Sequence, residues 1–271
     1  MPVDRGWTEH PMIAAVERLG PQVRRLSDRI EADRRLPPRL VDELTDAGVF
    51  QMFLPRSVGG HEVHPLTGFA VCEALAGNDG SVGWCAQVSA AVTIFLAWLD
   101  PEALADMVAT TDGPLHVAGS ARPLGTAIRT EDGYRVKGRW NYASGVRHAN
   151  WFLATSFVDN QDGSSVPRSM LVPIGDGEIV ANWDVMGMRG TGSDDYVLDD
   201  VAVPRSRTGA RRWIEQRSEP SLQDSSSPLR AFALLGVACL NAKARRRKGL
   251  SLRSLSRTTP ASVSEDRQSK D

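Results

Sequence analysis

Apolar positions along the first hundred residues recur at helical spacing, and beyond residue 115 they switch to the short alternating runs of strands. Met12 to Ala32 mixes apolar and charged residues with a period near that of a helix. Pro37 and Pro38 open a second helix that carries Leu40, Val41, Leu44 and Ala47 on one face and stops at Gly48. FLPRSVGG reads as a loop, Leu66 to Ala76 as a helix, and Asn78-Asp79-Gly80 as a break. Ser81 is then the expected N-cap of a nearly all-apolar helix running to Leu99. Asp100-Pro101 ends that helix and starts another, through about Met107. Gln87, Ser89 and Thr93 punctuate the apolar helix, whose length is near the lower limit for a membrane span, so a buried core helix is expected there.

The runs LHVAGS, TAIRT, YRVKGRW, WFLATSFV, RSMLVPI and DYVLDDVAVP are rich in β-branched and aromatic residues. Turn signals at Glu131-Asp132-Gly133, Asp159 to Gly163 and Gly175-Asp176-Gly177 separate them, which predicts a compact antiparallel β-domain ending near Pro204. The expected organisation is a helical domain over 1–112, a β-domain over 113–208 and a linker over 209–228. A single apolar helix over 229–248 and a basic, disordered tail over 249–271 follow.

Composition changes this picture little. The 271 residues are 41% hydrophobic and 24% charged with a net charge of −1, an ordinary soluble balance with room for a real core. Residues 241–271 carry nine Lys/Arg against three Asp/Glu, which leaves −7 on the rest. Arg245-Arg246-Arg247-Lys248 lacks the interleaved aromatics of a nucleic-acid site and reads as a solvated tail. Cys72, Cys85 and Cys239 form no CxxC pair and the five histidines lack metal-ligand spacing, so no metal site is expected. With no apolar signal segment at the N-terminus, these features point to a reducing cytoplasm and no membrane.

Two segments carry the candidate chemistry. GRWNYASGVRHANW (Gly138 to Trp151) and GMRGTGS (Gly187 to Ser193) each pack rings, small residues and hydroxyls between strand-like runs. A flat redox-active heterocycle needs such a wall: rings to cover its faces, glycines to admit its edge, hydroxyls to bond its ring atoms. A β-barrel rim with ordinary turn chemistry is the competing account of either segment alone.

An all-α half followed by a small β-domain resembles the acyl-CoA dehydrogenase superfamily. The words RLPPRLVDELTDAGVFQMFLPRSVGG, DGSVGW, VAGSARPLG, RWNYASGVRHANW and MGMRGTGSDDYVLDDVAVP resemble its flavin-dependent monooxygenase branch, the oxygenase components of two-component aromatic hydroxylases. The likeness runs from Arg35 to Pro204. Where dehydrogenases proper show a Thr-Glu-Pro word this chain has Ala118-Gly119-Ser120-Ala121-Arg122-Pro123, and their Trp-Ile-Thr/Ser-Asn word is absent near Trp140 to Gly145. The implied fold is α+β: helices, then a small antiparallel β-barrel or sandwich, then only the start of a C-terminal helical bundle.

The resemblance implies a chemistry as well. A partner reductase supplies reduced FMN or FAD by diffusion, dioxygen adds at the flavin C4a carbon, and the resulting hydroperoxide hydroxylates a phenolic or other aromatic substrate. The protein must bond the flavin N5–H, exclude water and supply a base. By the same resemblance Ser144 would meet N5 and O4, Gly145 would permit close approach, and Gly119 and Ser120 would bond the flavin edge. Trp183 would stack by the ring system, Thr191 and Ser193 would bond flavin or its phosphate chain, and Trp84 would wall the substrate side. Each has a structural alternative in turn or core packing. His148 is a weak candidate for the base, because a histidine just past a glycine turn more often ties loops together. Arg189 would meet a phosphate, or else a carboxylate such as Asp184 or Asp194. In the family a longer C-terminal bundle completes the site, carries the base and builds the oligomer contacts. The expected reading of residues beyond 248 is therefore a truncated or frame-shifted product with impaired activity and incomplete oligomer contacts. The alternatives are an FAD-dependent acyl-CoA dehydrogenase and a non-catalytic remnant.

Overall fold

A computed structural model describes residues 9–96, 99–159 and 163–209. Five helices come first: α1 (Pro11–Asp33), α2 (Pro38–Asp46), α3 (Pro65–Ala76), α4 (Gly80–Leu96) and α5 (Pro101–Thr110). Each begins with a proline or glycine in its first turn. The His10, His64 and Asp100 side chains accept the orphan N–H groups of α1, α3 and α5. In α2, Leu40, Val41 and Leu44 are buried, and Gly48 just beyond it takes φ +76° against the His61 ring, as the sequence pattern predicts.

One cap differs. Ser81 does not cap α4. Asp79 Oδ1 accepts the N–H groups of Ser81 (2.9 Å) and Val82 (3.1 Å), because a carboxylate one residue ahead of the helix reaches both donors and favours the positive helix end. Ser81 instead lies inside the first turn, fully packed, with its Oγ 3.5 Å from Glu31 Oε1 on α1. The rest of α4 is buried almost throughout, as expected of a core helix. Among the described residues no helix is long and apolar enough to cross a membrane.

Seven strands follow: β1 (Val117–Arg129), β2 (Gly133–Trp140), β3 (Trp151–Asp159), β4 (Ser165–Pro173), β5 (Glu178–Val180), β6 (Asp195–Pro204) and β7 (Thr208–Gly209). They form one sheet in the order β5-β6-β2-β1-β3-β4-β7. The runs LHVAGS and TAIRT, expected as two strands, merge into β1 with an irregularity between Ser120 and Gly125. The β-domain is also not wholly antiparallel, since β1 pairs parallel with β3, Val117 opposite Trp151. The cause is topological. β2 occupies one edge of β1 through a tight hairpin, and the chain then crosses over through residues 141–150 to reach the other edge in the same direction.

One face of this sheet closes around Trp140, Phe152 and Tyr196. The Trp140 indole N–H donates to the Thr155 carbonyl (2.9 Å), and the Phe152 and Tyr196 rings lie 4.3 Å apart. The other face meets the helices: Val117, Trp151, Leu153 and Leu171 pack on Val88, Val92, Phe95 and Leu96 of α4 and on Leu104 and Met107 of α5. Burying such a side chain fully stabilises the fold by about 1.5–3 kcal/mol. This seam fixes α4 against the strand ends, where the two chemistry-bearing segments emerge. The linker, apolar helix and tail expected beyond residue 209 lie outside the described residues.

Candidate functional site

Two turns are stitched together beside α4. The turn after β2 donates the Ala143 N–H to the Asp194 carbonyl (3.0 Å) and the Gly145 N–H to the Thr191 carbonyl (2.9 Å). Gly145 sits at φ +79°, a conformation that suits glycine, and the Ser144 side chain is thereby pressed between the turn and α4. Tyr142 and Met188 are also left-handed, at φ 58° and 57°, so both turns hold backbone strain of the kind that gathers at functional sites.

The side chains between these turns form a continuous hydrogen-bonded row. Trp84 Nε1 on α4 donates to Ser144 Oγ (2.9 Å), Ser144 Oγ bonds Ser193 Oγ (2.7 Å), and Ser193 Oγ bonds Thr191 Oγ1 (2.6 Å). Thr191 Oγ1 then donates to the Met188 carbonyl (2.9 Å), which also accepts the indole N–H of Trp183 (3.1 Å). A tryptophan thus stands at each end of three buried hydroxyls. Tyr142, 62% exposed, meets Trp183 edge-on with ring centroids 5.9 Å apart, and Met186, three residues along the chain from Trp183, is fully exposed.

A carboxylate staples the loop that presents Trp183. The Asp194 side chain has no solvent exposure. Its Oδ1 accepts the N–H groups of Asn182 and Trp183 (3.0 Å each), and its Oδ2 accepts from Arg147 Nε (2.5 Å). Burial pushes the Asp194 pKa up, but the bonds from Arg147, Trp183 and Asn182 together hold it below the usual carboxylate range. The Asp195 N–H in turn donates to Asn182 Oδ1 (3.0 Å).

The structure gives the other expected residues different surroundings. Gly119 pairs with Leu153 where β1 runs parallel to β3, and an added Cβ there would stand 2.5 Å from the Leu153 Cβ, so strand packing alone requires a glycine. Ser120 Oγ accepts the Arg122 N–H (3.2 Å) within the irregular part of β1. Among the described residues no hydrogen bond joins either of them to the Ser144 row. Arg189 is held by α1: its N–H donates to Glu31 Oε2, its Nε to the Glu31 carbonyl, and its guanidinium lies 3.4 Å from Asp184, which Arg34 also approaches (3.2 Å). Asp194 belongs to Arg147, not to Arg189.

His148 packs under Gly145 and against Phe50, with His116 edge-on at 6.4 Å. Burial, and then the neighbouring His116, lowers its pKa to about 3, so it stays neutral and is a poor proton acceptor. His116 is bonded to Thr45 Oγ1 (2.9 Å) and to the His148 carbonyl (3.1 Å), and burial lowers its pKa too. His116 ties α2 to the turn before β3, and His148 packs that turn on Phe50. Burial pushes the Cys85 thiol up, which removes it as a nucleophile. Among the described residues no three His, Cys, Asp or Glu side chains gather as metal ligands.

Helices over a seven-stranded sheet, with this seam between them, match known proteins. Residues 14–103 match the family described as acyl-CoA dehydrogenase, N-terminal domain. The solved structure of XiaF from Streptomyces sp., in complex with FADH2 and glycerol, superposes with a TM-score of 0.79 at 26% identity, covering 88% of this chain and 62% of that one. Residues 14–103 thus carry an acyl-CoA dehydrogenase N-terminal domain, and the chain as a whole is similar to proteins of that fold. It is 33% identical over 219 residues to the flavin-dependent monooxygenase, oxygenase subunit HsaA, of Mycobacterium tuberculosis, covering 80% of this chain and 55% of that protein. It is also 32% identical over 205 residues to the indole-3-acetate monooxygenase of Acinetobacter baumannii, covering 73% and 52%. The crystal structure of the M. tuberculosis HsaA monooxygenase superposes with a TM-score of 0.74 at 29% identity, covering 92% and 68%. These relatives are monooxygenases, the branch that the sequence words resemble. The chain spans about half the length of the curated relatives it matches.

The sequence words named Trp84, Ser144, Thr191 and Ser193 separately, and the structure brings those four into one bonded row. Sequence reasoning missed the Arg147–Asp194 staple and the Met188 carbonyl. Opposite charges at Arg147 and Asp194 in the two quoted words were the available signal. The Met188 carbonyl left none, since a backbone acceptor has no sequence signature.

Proposed function

We propose that this chain is the oxygenase component of a two-component monooxygenase that uses reduced FMN or FAD to hydroxylate a phenolic or other aromatic substrate. The observation that carries the reading is the Trp84–Ser144–Ser193–Thr191 row, set among exposed or half-buried rings at the seam of helices and sheet. Its chemistry fits a flavin. Ser144 Oγ has two partners and retains bonding capacity. Tyr142, Trp183 and Met186 supply the ring and apolar surface that a flat heterocycle needs, and nothing lies within 4 Å of the position a Gly187 Cβ would take.

When bound, reduced flavin supplies the electrons that activate dioxygen. This chain's own residues do the rest by position. Ser144 holds the polar edge of the ring system, and Gly145 lets the turn carry Ser144 up to it. Trp84 and Trp183 keep water from the row, and the Arg147–Asp194 pair keeps the Trp183 loop in place. Neutral His148 supports the Gly145 turn and takes no proton at neutral pH. A separate flavin reductase and dioxygen are the partners this chemistry requires, and a reducing cytoplasm suits the buried Cys72 and Cys85, neither of which is in a disulfide among the described residues.

The test is an anaerobic titration of the full chain with dithionite-reduced FMN and FAD, followed by air and a panel of phenols. Saturable binding of reduced flavin, and a hydroxylated phenol beyond the protein-free control, is the expected result. Tight binding of oxidised FAD that bleaches on addition of an acyl-CoA would replace this reading with a dehydrogenase. Binding of no flavin would refute it.

A further inference from the structure

The row of hydroxyls at the seam has a direction, and its two ends set it. The Trp84 indole N–H can only donate and the Met188 carbonyl can only accept. The single hydroxyl hydrogen of Thr191 lies on the Met188 carbonyl, at 2.9 Å. The 2.6 Å approach of Ser193 Oγ to Thr191 Oγ1 needs a hydrogen between the two oxygens, and it must be that of Ser193. Ser193 then has none left for Ser144, so the 2.7 Å link between them carries the hydrogen of Ser144. Ser144 in turn accepts the N–H of Trp84, at 2.9 Å. Reversing the row would lose the Thr191–Met188 hydroxyl bond at a site only 2% exposed; the carbonyl would keep the N–H groups of Thr191 and Trp183, so the row in this direction holds one hydrogen bond more than its reverse.

Every hydroxyl hydrogen is therefore committed inward, and the capacity left at Ser144 is an acceptor lone pair. A reduced flavin carries a hydrogen on N5 and presents a donor. An oxidised flavin has a bare N5 and presents an acceptor. We infer that the polarity of the Trp84-to-Met188 row makes Ser144 select reduced over oxidised flavin, with Thr191 as the positioning residue that sets the polarity. The inference rests on the reading of this seam as a flavin site. It moves Thr191 from a direct flavin contact to a role one hydroxyl behind Ser193 and two behind Ser144.

The readout is the ratio of dissociation constants for oxidised and reduced FMN, measured by titration of the full chain in air and under anaerobic dithionite. The wild type favours the reduced form. In Thr191→Val the Ser193 hydrogen is released to turn towards Ser144, whose own hydrogen can then point outward to an oxidised N5. The ratio falls on the order of tenfold, the size of one buried hydrogen bond made or missed. Thr191→Ser keeps the hydroxyl and restores the ratio. Should Thr191→Val fail to fold by circular dichroism, Ser193→Ala frees the Ser144 hydrogen directly and carries the same expectation. Equal loss of affinity for both flavin forms, with the ratio unchanged, would reduce Thr191 to packing and overturn the inference. A wild type that binds both forms equally would overturn the selectivity while leaving the flavin site standing. A wild type that binds neither would remove the site as well.

Discussion

Replacing Asp194 by Asn tests the staple that holds the Trp183 loop. The asparagine keeps one carbonyl oxygen for the Asn182 and Trp183 N–H groups, but its amide NH2 must then face Arg147 Nε, donor against donor. Breaking one partner of a buried ion pair costs about 3–5 kcal/mol. The Asp194 side chain is wholly buried and that of Arg147 is 26% exposed, so water relieves part of the stranded charge and lowers the cost to about 3 kcal/mol. For a body of this size that is a fall in Tm of about 6–12 °C. The assay is urea and thermal unfolding of wild type, Asp194→Asn, Arg147→Met and the double variant. The double variant should lose clearly less than the sum of the two singles, because removing both partners strands no charge. A loss under about 1 kcal/mol for Asp194→Asn, or strict additivity, would refute the staple. The acid limb carries a second signature. The folded Asp194 is more acidic than the unfolded one, so its contribution is present above the ordinary carboxylate pKa and disappears as pH falls through the lower folded value. Asp194→Asn should therefore flatten the stability profile below about pH 4.

His148 predicts a separate pH dependence. Its folded pKa of about 3 lies below the unfolded value of about 6.5, so its neutral form contributes fully above pH 6.5 and the stability declines as pH falls towards 3. Between pH 7 and pH 5 the wild type should lose about 2 kcal/mol through this residue, and His148→Gln should lose visibly less over the same range; identical slopes in urea titrations would contradict the assignment. Gly145→Ala places a Cβ at φ +79° and 3.1 Å from His148 Nε2, and should cost about 1–2 kcal/mol in the same assay; a neutral effect would mean the turn relaxes freely.

The elements themselves were largely legible, because burial enforces periodicity. α4 is apolar on all sides since helices and sheet enclose it, and Leu40, Val41 and Leu44 face inward at the spacing that predicted them. Strand order was not legible: alternation says that β1 and β3 are strands, and nothing in it says that Val117 runs parallel to Trp151. The Asp79 cap was obscured by a serine two residues on with equal capping propensity, and only the Glu31 contact shows why Ser81 turns elsewhere. At the site, residue type singled out Ser144, Thr191 and Ser193. Their connectivity rests on a bond from Trp84, sixty residues earlier, and on the Met188 carbonyl, and both exist only in the folded chain. The role weighed for His148 illustrates the converse. A histidine just past a glycine turn more often ties loops together than moves protons, and burial beside His116 leaves His148 with that structural part.

The most direct test of the account is a crystal structure of the full chain soaked anaerobically with dithionite-reduced FMN. The account predicts isoalloxazine density at the seam of α4 and the two turns, with N5 within hydrogen-bond reach of Ser144 Oγ. Ring density at any other surface, with the Ser144 row left bare, would contradict it.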